Sequence, residues 1–406
     1  MKIWHFSEQA YPDAWTKDPV SLRVTLPNKH FDPVEGGKLL NRYLDEWAYC
    51  DEIGTNIMVN EHHSTATCLS SSCTLQLAIL ARETKKVRLL CLGVPLANRT
   101  DPVRVAEELA YIDCISGGRL EMGFVRGIQY EISAVNSNPV NMSERLWEAH
   151  DLIIKAMTTH DGPFNWEGEH YHHRQVNIWP RPIQQPHPPV WSSTGSLSSV
   201  DKIAEKNATV TAMNSGLRAK GLFARYRQRL AEFGRPRPGL DKFAYMSLVS
   251  VADTQAEAFK RLDKIRGYLR TTTIVGKGLA NPPGYAAAGI NADLLANPQK
   301  GELGIIDRDS KPVNLRTAPH EALIDAGAAF AGTPDQVIKQ IKRFHNDIGG
   351  IGNFIMMGQG GDLTHKETLD NLGLFAREVT PALQDLKEPE DAASEAHERV
   401  RERAAS

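Results

Sequence analysis

The feature that most constrains this chain is a short apolar run followed by a stretch of helical period, repeated eight times along the sequence. Lys2–Phe6, Asn56–Asn60, Val87–Leu92, Leu120–Val125, Val190–Thr194, Thr209–Met213, Ala244–Val251 and Gly352–Met357 read as strands. Helices are expected through Leu39, Leu40, Tyr43 and Trp47, over Thr74–Ala81, from Asp101-Pro102, over Ser143–Thr158 and Ser196–Lys206, and lastly through Leu369, Leu372, Phe375 and Val379. Asp101-Pro102 supplies an N-cap and a proline at the first helical position, where no amide hydrogen is needed. Eight β-then-α units predict a parallel α/β barrel, the TIM (β/α)8 architecture with insertions. A doubly wound sheet is the other arrangement of such units, but its GxGxxG opening is missing from the first turn.

Two stretches interrupt the repeat. Trp179-Pro180-Arg181-Pro182 through Pro188-Pro189 cannot form regular helix and reads as a surface connection. Thr271–Pro319 is too long for an ordinary connection and is rich in Pro, Gly and small residues, which predicts a lid or an insertion. The expected organisation is therefore a barrel over 1–383 with an insertion at 271–319, then a charged tail at 384–406. A formal charge of −2 over 406 residues provides no basic field for nucleic acid or anionic membrane. With no long apolar run and no signal-peptide core, a cytoplasmic enzyme is expected. The five cysteines are odd in number and form no CxxC, which argues against a disulfide framework or a zinc ribbon.

Chemistry in such a barrel gathers at the carboxyl ends of the strands. The second strand ends in Asn60-Glu61-His62-His63, where a histidine can exchange protons near neutral pH and a carboxylate can fix its tautomer. The other reading is a pair of hydrogen-bonded loop histidines. At the end of the fourth strand, Arg126 beside Gly127 can grip an anion or form a surface ion pair. Gly195 and Ser196, with Ser199 in the following helical turn, suit a phosphate or plain N-capping. His5 and Glu8, near the end of the first strand, either line a pocket or belong to the core. Glu169-His170-Tyr171-His172-His173 sits in what reads as a β-hairpin, without thiolates or HxxxH spacing. A metal-dependent hydrolase using His62, His63 and His170 is accordingly only an alternative, and no metal is expected.

In order, these pieces resemble the bacterial luciferase-like flavin-dependent monooxygenases. The resemblance rests on Asp101-Pro102-Val103-Arg104-Val105-Ala106-Glu107, then Asp113, Ser116-Gly117-Gly118-Arg119 and Gly123-Phe124-Val125-Arg126-Gly127. It is supported by Asn60-Glu61-His62-His63, by Ala331-Gly332-Thr333-Pro334 and by Val379-Thr380-Pro381-Ala382-Leu383. The resemblance implies reduced FMN, or in some branches F420, bound in a TIM barrel. By position, His62 is similar to the catalytic histidine, Arg126 to the phosphate-gripping arginine, and Gly195, Ser196 and Ser199 to the phosphate turn. A non-proline cis peptide under the flavin has its nearest counterpart at Gly93-Val94, within a residue either way, and Val94-Pro95 is the other candidate, as an X–Pro cis bond. The sequence departs from the luciferases proper around Gln129-Tyr130-Glu131 and in the loop Glu8–Gly37. Tyr130, Glu131, His63, His5 and Glu8 are therefore expected to shape the substrate pocket. The resemblance further implies oxygenation of a small organic substrate by O2 through a C4a-(hydro)peroxyflavin. It implies a separate NAD(P)H:flavin reductase, and a homo-oligomer (dimer or tetramer). An F420-dependent dehydrogenase and a flavin-binding protein without turnover are the alternatives.

Overall fold

The computed structural model describes residues 1–17, 22–272, 304–309 and 311–389, together with 275, 279, 281–285 and 292. Strands β1 (Lys2–Ser7), β2 (Asn56–Val59), β3 (Leu89–Pro95) and β4 (Leu120–Val125) pair in parallel in that order. An antiparallel excursion, β5 (Phe164–Glu167) with β6 (His172–Val176), then leaves the barrel, as the hairpin reading expected. The barrel resumes with β7 (Val190–Ser193), β8 (Thr209–Met213) and β9 (Phe243–Val251). A small antiparallel pair follows, β10 (Gly304–Ile306) with β11 (Pro312–Asn314). After β12 (Ala329–Gly332) comes β13 (Asn353–Gln359), which pairs with both β9 and β1 and closes an eight-stranded parallel barrel.

Period two decides which side chains enter that barrel. Trp4, Phe6, Met58, Leu90, Leu92, Trp191, Met246, Ile355 and Met357 form the interior cluster. Ile3, Ile57, Val59, Leu89, Cys91, Phe354 and Met356 point outward and pack with helix residues such as Trp47, Leu77 and Leu109. Each such side chain taken from water is worth about 1.5–3 kcal/mol. Across the interior, Trp4 and Trp191 meet edge to face with ring centroids 5.3 Å apart.

The helices are cut where the local chemistry dictates. Helix α1 (Pro33–Ile53) begins at Asp32, whose carboxylate accepts from Val34 N at 2.8 Å, and ends at Gly54 with φ +70°. Helix α2 (Cys73–Glu83) follows β2, and α3 (Pro102–Ser116) starts under the expected Asp101 cap, which accepts from Arg104 N at 3.1 Å. Arg119, from the Ser-Gly-Gly-Arg stretch, spans the end of α2, donating to the carbonyls of Ala81 and Thr84 at 2.9 Å and to that of Val87 at 2.8 Å. Asp113 is fully buried and accepts from Gln184 at 3.0 and 2.7 Å. The most recognisable part of the sequence thus serves the scaffold.

Some features differ from expectation. β3 runs to Pro95, because the pairing with β4 continues past Leu92 as far as Pro95–Val125. β12 was not expected; it adds in parallel to Leu248–Val251, the part of β9 beyond its pairing with β8. About half of Thr271–Pro319, expected as a lid or an insertion, lies outside the described residues, and its end packs on the barrel. Ile305, Val313 and Leu315 are buried with the barrel-interior cluster, and Leu315 O accepts from Arg266 Nε at 2.8 Å. Of the charged tail, residues 390–406 lie outside the described residues.

Candidate functional site

β2 stops at Val59, and the chain turns through Asn60-Glu61-His62-His63 at the carboxyl end of the barrel. His62 N donates to Ser70 O at 2.9 Å, the Ser70 hydroxyl donates to Asn60 O, and Asn60 Nδ2 donates to Glu8 at 2.8 Å. With its backbone pinned, the turn sends its two imidazoles to different carboxylates. His62 Nδ1 lies 2.9 Å from Glu131 Oε1, and His63 Nε2 lies 3.1 Å from Glu61 Oε1.

Glu61 is a buried anchor. Arg99 Nη2 donates to both of its oxygens at 2.6 and 2.7 Å, and Cys73 N, at the start of α2, donates at 3.2 Å. Burial pushes the Glu61 carboxyl up, but His63, Arg99 and Cys73 together hold it below the usual range. His63 is thereby tied to the scaffold.

Glu131 is 1% exposed and serves two donors, His62 and the His63 backbone amide at 3.0 Å. A carboxylate on Nδ1 fixes the proton there and leaves Nε2 for proton exchange. The His62 side chain, 22% exposed, lies on the wall of a cavity of about 680 Å³. Burial favours its neutral form, but the Glu131 hydrogen bond and the charges of Glu8 and Glu131 outweigh that and the opposing charge of Arg23. The net displacement is upward from 6.5. Tyr130 backs the pair: its ring stacks at 6.5 Å from the imidazole and carries the Arg23 guanidinium 4.5 Å above it. Burial raises the Tyr130 phenol.

Tyr130, Glu131, Glu8 and His63 are absent from the cavity wall; they stand behind or beside His62 because each is bonded or packed into the turn. His5 faces away from the barrel interior, since it follows inward Trp4 on a strand of period two. It is fully buried, its ring nitrogens lack hydrogen bonds of good geometry, and burial holds its pKa down to about 3. The non-proline cis peptide expected at Gly93-Val94, within a residue either way, is Leu92–Gly93, inside those bounds. Among the described residues, the prolyl cis bonds are Trp179-Pro180 and Gln185-Pro186. Among the described residues, no three His, Cys, Asp or Glu are grouped to hold a metal ion. His170 sits instead over Glu148, which accepts its backbone amide at 2.9 Å.

Other expected residues cluster at the mouth of β3, β4 and β7. β3 and β4 approach so closely that a Cβ on Gly93 would lie 2.8 Å from Gly123 O, and one on Gly123 would lie 2.3 Å from Cys91 O. Val94, beside Gly93, faces outward into the helix layer and pairs with Phe124. Arg126 follows β4 and lies 4.0 Å over the Tyr285 ring, whose hydroxyl donates to Gly127 O at 3.3 Å. After β7, Ser196 caps α5 (Leu197–Glu205), accepting from Ser199 N, and its hydroxyl donates to the Ser199 hydroxyl at 2.9 Å. A Cβ at Gly195 would meet nothing within 4 Å, so that turn is open to a ligand. Sequence reading missed Asn98, which is 7% exposed, lies against Gly127 and leaves both amide atoms without a partner. It also missed Arg23 and Arg99, which no motif marks.

The barrel and this site place the chain in a known group: it belongs to the luciferase-like monooxygenase family, whose model matches residues 25–349. It is 28% identical over 211 residues to the oxygenase component of a flavin-dependent trigonelline monooxygenase from Acinetobacter baylyi, covering 50% of this chain and 56% of that protein. The chain thus spans a little over half the length of that curated relative. In fold it resembles the oxygenating constituent of 3,6-diketocamphane monooxygenase from Pseudomonas putida, a Type II Baeyer-Villiger monooxygenase solved with FMN. That likeness has a TM-score of 0.68 at 19% identity and covers 91% of this chain and 97% of the other. An F420-dependent secondary alcohol dehydrogenase shares the fold at TM-score 0.62 and 14% identity, over 95% and 100% of the two chains.

Proposed function

We propose that this chain is the oxygenase of a two-component flavin monooxygenase. It takes reduced FMN from a separate NAD(P)H-dependent reductase and uses O2 to oxygenate a small organic substrate. The observation that carries the reading is His62 at the barrel mouth, on a cavity wall, with Nδ1 committed to buried Glu131.

The residues present suit a flavin. The close glycines of β3 and β4 leave a bed without side chains, and the unpartnered Asn98 amide beside Gly127 can serve a polar ring edge. Gly195, Ser196 and Ser199 at the start of α5 would receive the phosphate, with Arg126 as its cationic partner. Bound and reduced, the flavin supplies the electrons that activate O2. The chain's own contribution is to orient, to exclude water and to move a proton. Glu131 holds the His62 ring, so Nε2 can give or take a proton beside the cavity without reorienting. The walls around His62 keep water from the reacting atoms.

We place the protein in the cytoplasm and as a homo-oligomer. Supporting the second point, Leu75, Ile79, Tyr111, Ile115 and Trp179 are exposed on the face of α2, α3 and the Pro-rich connection. An apolar face of that kind marks an association surface. Sedimentation of Trp179→Glu is expected to give the monomer; an unchanged assembly would move the interface elsewhere.

The central test is His62→Ala. General acid–base help is typically worth about 10²–10⁴ in rate, and turnover should fall by that factor. FMN affinity should change by less than tenfold, about 1.4 kcal/mol. Normal turnover in His62→Ala would remove the catalytic assignment. A titration that gives tight binding of F420 and none of FMN would turn the reading to hydride transfer.

A further inference from the structure

The cavity beside His62 has a wall chemistry that the flavin reading does not use. One side is the segment after β1, with Tyr11; another is the stretch leading into α1, with Leu26 and Phe31; the third is the loop after β2, with Ala66 and Leu69. These backbones are locked together before any ligand arrives. Tyr11 N donates to Ala66 O at 2.8 Å, Val24 N to Ser64 O at 2.6 Å, and Ala66 N to Leu22 O at 3.3 Å. Tyr11 and Phe31 form an aromatic wall with ring centroids 4.9 Å apart. The Tyr11 hydroxyl is already used, accepting from Asp32 N at 3.1 Å, so the ring is the surface Tyr11 offers. Phe31 is itself wedged, because Gly36 leaves room for it: a Cβ there would lie 2.0 Å from the ring.

Among the described residues, no Lys, Arg, Asp or Glu reaches this wall; its polar members are neutral hydroxyl and amide groups, the Cys68 thiol, which burial keeps protonated, and the imidazoles of His30 and His62. The charged groups facing His62 stand behind it. Glu8 is bonded to Asn60, Glu131 to His62, and Arg23 lies over Tyr130. When His62 is protonated, its charge is matched by Glu131 at 2.9 Å, so the pair presents no net charge to a ligand. A bare ion buried here would lose its hydration without gaining a counter-ion, which costs several kcal/mol. A neutral molecule loses little and gains the aromatic and aliphatic walls. The volume, about 680 Å³, lies within the range of small-molecule pockets.

We propose that this cavity binds an uncharged, mainly apolar organic molecule, stacked on the Tyr11–Phe31 wall within reach of His62. Calling that molecule the substrate rests on the flavin-oxygenase reading; the binding itself does not. The site is therefore tested on the full chain without flavin.

Three probes share one ring and differ in charge: acetophenone, benzoate and benzylammonium. Their binding is followed by ligand-observed NMR at pH 6, with competition to place them in one site. That pH lies below the raised His62 pKa, where the His62–Glu131 pair carries no net charge and both ionic probes keep their charge. Acetophenone should bind at least tenfold more tightly than either ion. Ala66→Phe, which fills the cavity, should weaken acetophenone at least tenfold. Gly36→Ala, which displaces Phe31 from outside the cavity, should weaken it severalfold, and both variants should keep the parent's circular dichroism. Benzoate or benzylammonium displacing acetophenone at equal concentration would overturn the proposal, as would acetophenone binding indifferent to both substitutions. Acetophenone binding in a protein that fails to bind FMN would leave the cavity assignment standing and refute the flavin reading alone.

Discussion

Replacing Glu131 with glutamine keeps the shape of the side chain and an oxygen for His62 Nδ1–H and the His63 amide, but removes the negative charge. Hydrogen bonds to charged groups contribute about 1.5–3 kcal/mol, against about 0.5–1.5 for neutral ones. The difference, about 1–1.5 kcal/mol, corresponds to about one pKa unit. In the parent, burial lowers the His62 pKa, and Glu131 with Glu8 carries it above 6.5. Without the Glu131 charge, burial and Arg23 face Glu8 alone, so the His62 pKa should drop by about one unit. Stability follows with a definite sign. A histidine whose folded pKa is raised contributes stability that is complete below about pH 6.5 and is lost as pH rises through the folded value. Glu131→Gln should therefore cost more at pH 5.5 than at pH 9. The assay is an NMR titration of the His62 imidazole nitrogens, paired with denaturant melts at the two pH values. An unchanged or higher His62 pKa in Glu131→Gln would refute the electrostatic argument, and an equal cost at both pH values would refute the linkage.

Arg126→Ala should weaken FMN by about 1.5–3 kcal/mol through loss of a charge-assisted contact. Riboflavin, which lacks the phosphate, should bind the variant and the parent alike. Gly195→Ala meets no atom within 4 Å, so its melting temperature should match the parent while its FMN affinity drops; fluorescence titration with both flavins separates the two effects. His5→Leu replaces a buried imidazole whose nitrogens lack good hydrogen bonds, and should leave stability at pH 7 unchanged or higher. Because the His5 pKa is held down to about 3, the unfolded chain takes up a proton that the folded one refuses as pH falls below about 6.5. Thermal melts at pH 5 should then favour His5→Leu; a fall in turnover with unchanged stability would return His5 to the pocket.

The eightfold alternation, the Asp101-Pro102 helix start and the hairpin around Glu169–His173 were legible in the sequence because each depends on residues close along the chain. Apolar period and capping are local properties, so β1, α3 and the β5–β6 pair lie close to where the pattern put them. The place of His62 at a strand end was legible for the same reason. What His62 touches was not. Glu131 is 69 residues away and Arg99 lies 36 beyond His63, and only barrel closure, setting the loops after β2, β3 and β4 side by side, brings them together. Tyr130 and Glu131 stood out where the sequence departs from the luciferases, but that both are buried beside His62 is a tertiary fact. Whether His5 lines a pocket or joins the core was open in the sequence; a strand's side chains alternate, and Trp4 meeting Trp191 across the barrel turns His5 away from the interior. Likewise β12 is short and apolar, and becomes a strand only because β9 outruns β8 and leaves Leu248–Val251 unpaired on that side. The sequence alone determined the order of elements and the residues able to exchange a proton. Tertiary contact decided their partners, because hydrogen bonds and burial depend on neighbours that the chain brings from far along its length.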